Sequence, residues 1–252
     1  NRQVLEDLIS RPELKKQGLR ILHKQSPDRR GIDVGILYDP KQITVTHTEF
    51  VKVMDHTNLK FKTRDMVYLK GSVFKKGEIH FFACHWPSRY GGQARSEPKR
   101  ILAATILRAK IDSIQKTDPL ARIIVMGDFN DDPIESSFKK VLKTKERKKN
   151  VNEGDLYNPY EEMFKRGLNT GAYRDNISLF DQIIISSTLL DNGEKDFSTY
   201  KMFKALIFNK RFLMQKKGQY KGYPLRSFSY GTYTGGYSDH FPVYMYLIKE
   251  KK

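Results

Sequence analysis

Five polar blocks, each joined to an apolar run, constrain this chain most: RRGIDVGILYD, FFACHWPSR, IIVMGDFNDDP, LFDQIIIS and YSDHFPVYMYL. A short apolar run bounded by turn residues is the signature of a buried strand. Strand ends that gather Asp, Asn and His around one point would make a reaction centre. In chain order, IDVGILYD, ITVTHTEFVKV and MVYLKGSVFKKGEIHFFACHW precede a long helix, IIVMGD, a short helix, DQIIIS and FPVYMYLI. Hairpin-like stretches followed by alternating strand and helix predict a mixed α/β domain rather than a pure array of βαβ units.

The helices are placed by their apolar spacing. VLEDLIS sets Val4, Leu5, Leu8 and Ile9 on one face directed at a core. A helix is expected from Ser96 to about Lys116, capped by Ser96, with Pro98 in its first turn and Ala103, Leu107, Ile111 and Ile114 inward. Pro133 predicts the first turn of another helix, ending near Leu142. The polar stretch from Thr144 to Tyr157 is expected to be a loop, and residues 209–237, rich in Gly, Tyr and Lys, an irregular excursion. At 252 residues the chain buries one substantial core, so residues 1–252 are expected to form one domain and a monomer.

Charge narrows the partners. Lys and Arg number 46 against 29 Asp and Glu, a net charge of +17, which favours nucleic acid or a phosphorylated small molecule, although solubility alone also accounts for such an excess. Cys84 is the single cysteine; it excludes an intrachain disulfide and, inside FFAC, is expected to be a buried strand thiol. No stretch approaches the ~20 apolar residues of a membrane span. The protein is expected to be exported if a signal peptide lies upstream of Asn1, and cytoplasmic otherwise.

Asp128 and Asn130 stand two apart, so in extended chain both side chains leave the same face and share one substrate. A carboxylate there orients a water or a metal, the amide donates to a phosphate oxygen, and Gly127 permits close backbone approach. The plainer reading is an Asx-rich turn entering a helix. His85 ends one strand near Arg89, a pair suited to clamping phosphate, unless the histidine is only tied beneath an aromatic loop. Asp239 and His240 are adjacent and point apart, so another carboxylate must orient His240. Asp181, lodged before IIIS, is the candidate; unless it only accepts from a loop amide, it predicts an Asp181–His240 pair that takes a proton from water and leaves Asp239 for metal. Arg30 is a candidate substrate contact, while Asp33 either points to the site or fixes Arg30. Tyr173 and Arg174 fall in a plausible substrate loop. Tyr220, Tyr223, Tyr230 and Tyr233 are spaced too irregularly to favour base stacking over packing in their own loop.

With HWPSR, GDFND, LFDQIIIS and SDH in that order, nearly the whole chain resembles the endonuclease/exonuclease/phosphatase superfamily, which includes DNase I-like nucleases and inositol phosphate phosphatases. The PDRRGIDVGILY block resembles a bacterial branch of uncharacterised substrate. The resemblance implies a four-layer α/β sandwich, two packed sheets between helices, hydrolysing phosphate esters with Mg²⁺ or Mn²⁺ and no further cofactor. Carried over residue by residue, it implies that His85 contacts phosphate, Asp128 positions or activates the water, and Asn130 binds phosphate beside it. Asp239 then belongs to a metal site, and Asp181 and His240 form the catalytic pair; whether Asp128 or His240 is the base is left open. Family members also carry, before the helix at Val4, a strand ending in Asn and a strand ending in the principal metal-binding Glu, neither of which stands in this sequence. The sequence thus predicts a metal-dependent phosphoester hydrolase, with a phosphodiesterase or nuclease favoured over a phosphomonoesterase or a non-catalytic polyanion-binding protein.

Overall fold

The computed structural model describes every residue except 174, 175, 192, 194, 230 and 252. Asn1 caps α1 (Arg2–Ile9) by accepting from the Val4 N–H at 3.2 Å, and the single turn α2 (Pro12–Lys15) follows. Next come β1 (Arg20–His23), β2 (Gly35–Tyr38), β3 (Ile43–Val51), β4 (Met66–Val73) and β5 (Glu78–His85). Helix α3 (Gln93–Thr117) leads into β6 (Ile123–Asp128), and β7 (Leu156–Tyr157) and α4 (Tyr160–Lys165) precede the β8 (Gly171–Tyr173) and β9 (Asn176–Ser178) pair. The chain finishes with β10 (Asp181–Ser186), β11 (Lys201–Ile207), the short pair β12 (Phe228–Ser229) and β13 (Thr232–Tyr233), and β14 (Val243–Ile248).

The principal sheet has the order β3-β4-β5-β6-β10-β7. Its pairs are antiparallel except β5 with β6, which lie parallel because α3 carries the chain back between them. Apolar residues alternate between two cores, as a pleated strand requires. Val125 and Ile184 face the core that holds Ala103, Leu107 and Ile111 of α3. Ile124, Ile183 and Ile185 face the other core, where Met202 and Ala205 of β11 are buried. β11 pairs with β14, and β1 pairs with β2, in separate two-stranded ladders. The mixed α/β class is therefore correct, and Cys84 is buried as expected. Among the described residues no helix is long and apolar enough to cross a membrane.

Three boundaries differ from the sequence expectation. Helix α3 begins at Gln93 after Gly92, so Ser96 lies inside it, its hydroxyl donating to the Gly92 carbonyl at 2.6 Å, and Pro98 falls in the second turn. The physical reason is Arg100, fully buried, whose guanidinium donates to Gln93 Oε1 at 2.6 Å, Ser96 Oγ at 2.9 Å and Asp131 Oδ1 at 2.6 Å. Those bonds hold the first turn from the tertiary side. The following helix is a π-helical segment from Ser137 to Leu142, with Ser137 Oγ donating to Asp131 Oδ2 at 2.8 Å. The loop expected up to Tyr157 ends instead in β7, which pairs with Ile185 and Ser186. Helix α1 shows the predicted amphipathic spacing, yet Val4 and Leu8 are exposed and only Leu5 and Ile9 are half-buried.

Residues 209–237 are largely irregular, and Tyr220–Tyr223 and Phe228–Tyr233 form ring pairs within that excursion at 5.5 and 5.4 Å. That geometry favours local packing; Tyr230 lies outside the described residues.

The buried pair between Arg100 and Asp131 supplies the first test. Arg100→Ala removes the fully buried guanidinium 2.6 Å from Asp131 and leaves that carboxylate only the half-buried Arg89 as counter-ion, at 3.5 Å, and a stability loss of about 3–5 kcal/mol is expected in urea denaturation. A loss below about 1 kcal/mol would show that α3 and the Asp131 loop are held by other contacts.

Candidate active site

Strand register builds the site. The parallel pairing sets Cys84 opposite Gly127 and His85 opposite Asp128, and the antiparallel pairing sets Asp128 opposite Asp181. Three strand ends thus bring one imidazole and two carboxylates side by side. Gly127 is required for this: at φ +146°, a Cβ there would sit 1.9 Å from the Cys84 carbonyl oxygen, so any side chain would part β5 from β6.

His240 enters from the turn before β14. Its backbone N–H donates to Ser238 Oγ at 3.1 Å, and the next N–H, of Phe241, donates to the Thr170 carbonyl at 2.7 Å. Its Nδ1 lies 2.7 Å from Asp181 Oδ2, which is the pairing expected from sequence. Asp128 Oδ2 lies 4.0 Å from the same Nδ1 and 3.5 Å from His85 Nε2.

Other expected contacts are arranged differently. Asn130 is at φ +51°, so the chain after Asp128 is not extended and the two side chains do not simply share a face. Its backbone N–H donates to Asp128 Oδ1 at 2.9 Å and its amide donates to the Trp86 carbonyl at 3.0 Å, so it holds the carboxylate and the neighbouring loop. Arg89 is not poised as a free phosphate clamp. Its guanidinium donates to the Asn130 carbonyl at 2.9 Å, Asp132 at 3.1 Å and Glu135 at 3.2 Å, and lies over the Phe180 ring. Acidic partners compensate its charge and fix the loop after β6. Asp33 takes neither expected direction: it accepts from the Ser26 backbone and hydroxyl and pairs with His23 at 3.1 Å. Arg30 is exposed, with its Nε 3.6 Å from Asp28. Asp239 is exposed beside His240 and outside the converging trio. Tyr173 ends β8, while Arg174 and the side chain of Tyr173 lie outside the described residues.

The charges are strongly conditioned by one another. Burial disfavours the imidazolium of His240, but the hydrogen bond and charge of Asp181, with Asp128 and Asp239 behind it, prevail and raise it to about 9. Burial and the facing Asp181 raise Asp128 to about 6, against the pull of His240. Burial, helped by Arg64, Arg30 and His240, depresses His85 to about 3, which leaves it a neutral imidazole at pH 7.

One ligand atom each from Asp128, Asp181 and His240 lies within 4.8 Å of the others, a grouping that can hold a metal ion. The donor set fits a hard divalent cation, because the negative charge of two facing carboxylates is relieved by a nearby positive charge. His240 Nδ1 is already engaged by Asp181, so the carboxylate oxygens are the better donors in this arrangement.

Sequence reasoning missed Arg64. This buried guanidinium donates to the His85 carbonyl at 3.1 Å, the Trp86 carbonyl at 2.6 Å and Asp28 at 3.0 Å, and so fixes the strand end that bears His85. The available signal was a charged Arg64-Asp65 pair directly before the apolar start of β4, where a buried charge needs a partner.

The sequence pattern of the Endonuclease/Exonuclease/phosphatase family matches residues 1–249. The chain belongs to this family. Within it, the converging carboxylates and histidine make the protein a metal-dependent phosphoester hydrolase. Its fold is similar to that of an endonuclease/exonuclease/phosphatase family protein from Bacteroides thetaiotaomicron, at TM-score 0.59 and 16% identity over 98% of this chain and 80% of that one. A humanized D. rerio TDP2 matches at TM-score 0.58 and 14% identity over 96% and 80% of the two chains. The mannosyl-6-phosphatase Bt3783 of B. thetaiotaomicron matches at 0.57 and 15% over 94% and 80%. No curated protein matches significantly.

The His240–Asp181 pair has a testable pH signature in metal-free protein. Because the folded pKa of His240 is raised, its stabilising contribution is fully present below the unfolded value of ~6.5 and is lost as pH rises through about 9. Asp181→Asn is expected to move the His240 imidazole titration, followed by NMR, well below 9 and to flatten thermal stability over that window. An unchanged midpoint would show that Asp181 does not hold the imidazolium.

Proposed function

We propose that the chain hydrolyses the phosphodiester bonds of a polynucleotide by in-line attack of water. The observation that carries this reading is the convergence of Asp128, Asp181 and His240, with 2.7 Å and 4.0 Å separating His240 Nδ1 from the two carboxylates. Asp128 is the proton acceptor: its Oδ2 lies 3.5 Å from His85 Nε2 and 4.0 Å from His240 Nδ1, where those side chains converge, and in the metal-free site burial and the facing Asp181 raise its proton affinity. His240 is held by Asp181 as an imidazolium, and its Nε2–H is left to donate to a phosphoryl oxygen as charge develops there. As water adds to phosphorus its proton passes to Asp128, and the bond to the leaving oxygen breaks, that oxygen keeping the electron pair and taking up a proton from bulk water. Neutral His85 hydrogen-bonds a phosphoryl oxygen, and Asn130 positions Asp128. Mg²⁺ or Mn²⁺, held by Asp128 and Asp181 with Asp239 as a further oxygen ligand, would supply Lewis-acid stabilisation of phosphoryl charge.

The net charge of +17 supports a polyanionic substrate. A similarly folded D. rerio TDP2 is known in complex with a single-strand DNA product, which supports the same direction. Two of the similar proteins come from B. thetaiotaomicron and support the bacterial branch resembled by the PDRRGIDVGILY block. The β11–β14 and β1–β2 ladders are taken as parts of the second sheet of a four-layer sandwich, in a single domain. Support comes from the burial of Met202 and Ala205 in the core on the side of the principal sheet away from α3.

The full-length protein should be offered supercoiled DNA, RNA, bis-p-nitrophenyl phosphate and a phosphomonoester with Mg²⁺ or Mn²⁺, beside an EDTA control. Cleavage of polymer that EDTA abolishes is expected, with Asp128→Asn and His240→Gln each lowering kcat/KM by roughly 10²–10⁴-fold. Turnover of the monoester alone would replace the nuclease reading with a phosphatase; polymer cleavage untouched by both substitutions would remove the proposed roles.

A further inference from the structure

The wall that carries His85 continues into an open cavity of about 670 Å³. Arg64 makes the join: it lines the cavity while donating to the carbonyls of His85 and Trp86, and Pro87 and Ser88 extend the same wall. Arg64 and Arg30, both in the lining, also lie close enough to the His85 imidazole for their charge to help depress it, so the cavity adjoins the reacting centre.

The lining is strongly cationic. Arg29, Arg30, Lys60, Lys62, Arg64 and Lys99 face a single acid, Asp28, which is already bonded to Arg64 at 3.0 Å. Lys60, Lys62 and Lys99 have no carboxylate partner among the described residues, and all three are exposed. Structural ion pairing does not explain three uncompensated ammonium groups around one concavity, and concave walls focus their field on an incoming anion. Thr63, whose buried hydroxyl has no hydrogen-bond partner, lies in the same lining. Tyr90 also lines the cavity and is 90% exposed, an aromatic face with almost no packing role. Cations that track a backbone together with an exposed ring that stacks on a base form the recognition chemistry of single-stranded nucleic acid. A phosphorylated small molecule would need the cations but not the open ring.

We propose that this cavity binds the phosphates next to the scissile one in a single-stranded polynucleotide, through Lys60, Lys62 and Lys99, with Tyr90 stacking on a base. The proposal rests on the polynucleotide reading above and adds a subsite outside the reacting centre. It makes affinity depend on strand length and on salt.

The test compares a single-stranded oligonucleotide with bis-p-nitrophenyl phosphate, which fills only the reacting centre, on full-length wild type, Lys62→Ala/Lys99→Ala and Tyr90→Ala. For the oligonucleotide, the lysine variant is expected to raise KM by roughly 10–100-fold with kcat retained. Its plot of log(kcat/KM) against log salt should be shallower by about 1.4, two phosphate contacts at ~0.7 each. Tyr90→Ala should raise KM by about tenfold, within the range for loss of one stacked base. Hydrolysis of bis-p-nitrophenyl phosphate should be unchanged in all three proteins. Oligonucleotide kinetics equal to wild type would overturn the subsite while leaving the polynucleotide reading intact. A parallel fall on both substrates would also overturn it, because the lysines would then act through the wall of His85. Wild-type turnover of the small diester with none of any oligonucleotide would instead defeat the polynucleotide reading, and the subsite with it.

Discussion

The contact on which the site depends is the close parallel approach of β5 and β6 at Gly127. With no side chain between the Cys84 carbonyl and the Gly127 backbone, the strands keep the register that sets His85 opposite Asp128. The antiparallel register of β6 with β10 then adds Asp181. Sub-ångström placement of reacting groups needs rigid supports, and three adjacent strand ends provide them better than mobile loops would.

Around those ends, buried cations hold polar loops that would otherwise be costly to bury. Arg64 ties the end of β5 to Asp28, and Arg100 joins the first turn of α3 to Asp131. Arg89 collects Asp132, Glu135 and the Asn130 carbonyl. These arginines brace the frame, while the exposed Lys60, Lys62 and Lys99 remain available for an anionic substrate. Division of the basic residues into compensated and uncompensated groups is what turns a net charge into a directional field.

Within the centre, electrostatics assign different states to chemically similar groups. The two histidines lie near the same carboxylate, yet His240 is held as a cation by Asp181 while His85 is kept neutral by burial and nearby arginines. Asp128 and Asp181 face each other, and burial together with this repulsion raises the proton affinity of Asp128 in the metal-free site, which supports its proposed part as proton acceptor. Membership of the Endonuclease/Exonuclease/phosphatase family is consistent with this arrangement, and the proposed roles are argued from the distances and charges of this chain.

The sequence by itself determined the mixed α/β class, the strands within IDVGILYD, ITVTHTEFV, MVYLKGSV, EIHFFACH, IIVMGD, DQIIIS and VYMYLI, and the pairing of Asp181 with His240, because apolar periodicity and a charge beside a buried run are local signals; β11 and the short strands β7, β8 and β9 carry no such signal and emerged only in the fold. Asp128 and His85 were legible as strand-end polar groups for the same reason. Only the tertiary structure decided that Asn130 would turn back to hold Asp128, that Arg89 would brace a loop, and that Asp33 would face Ser26 and His23. It also decided the early start of α3, set by Arg100 reaching Asp131 across 31 positions of chain, and the gathering of Lys60, Lys62, Tyr90 and Lys99 around one cavity. Each of these depends on which distant acceptor or acid lies within bonding distance, and spacing along a chain carries no such information until the strands have paired.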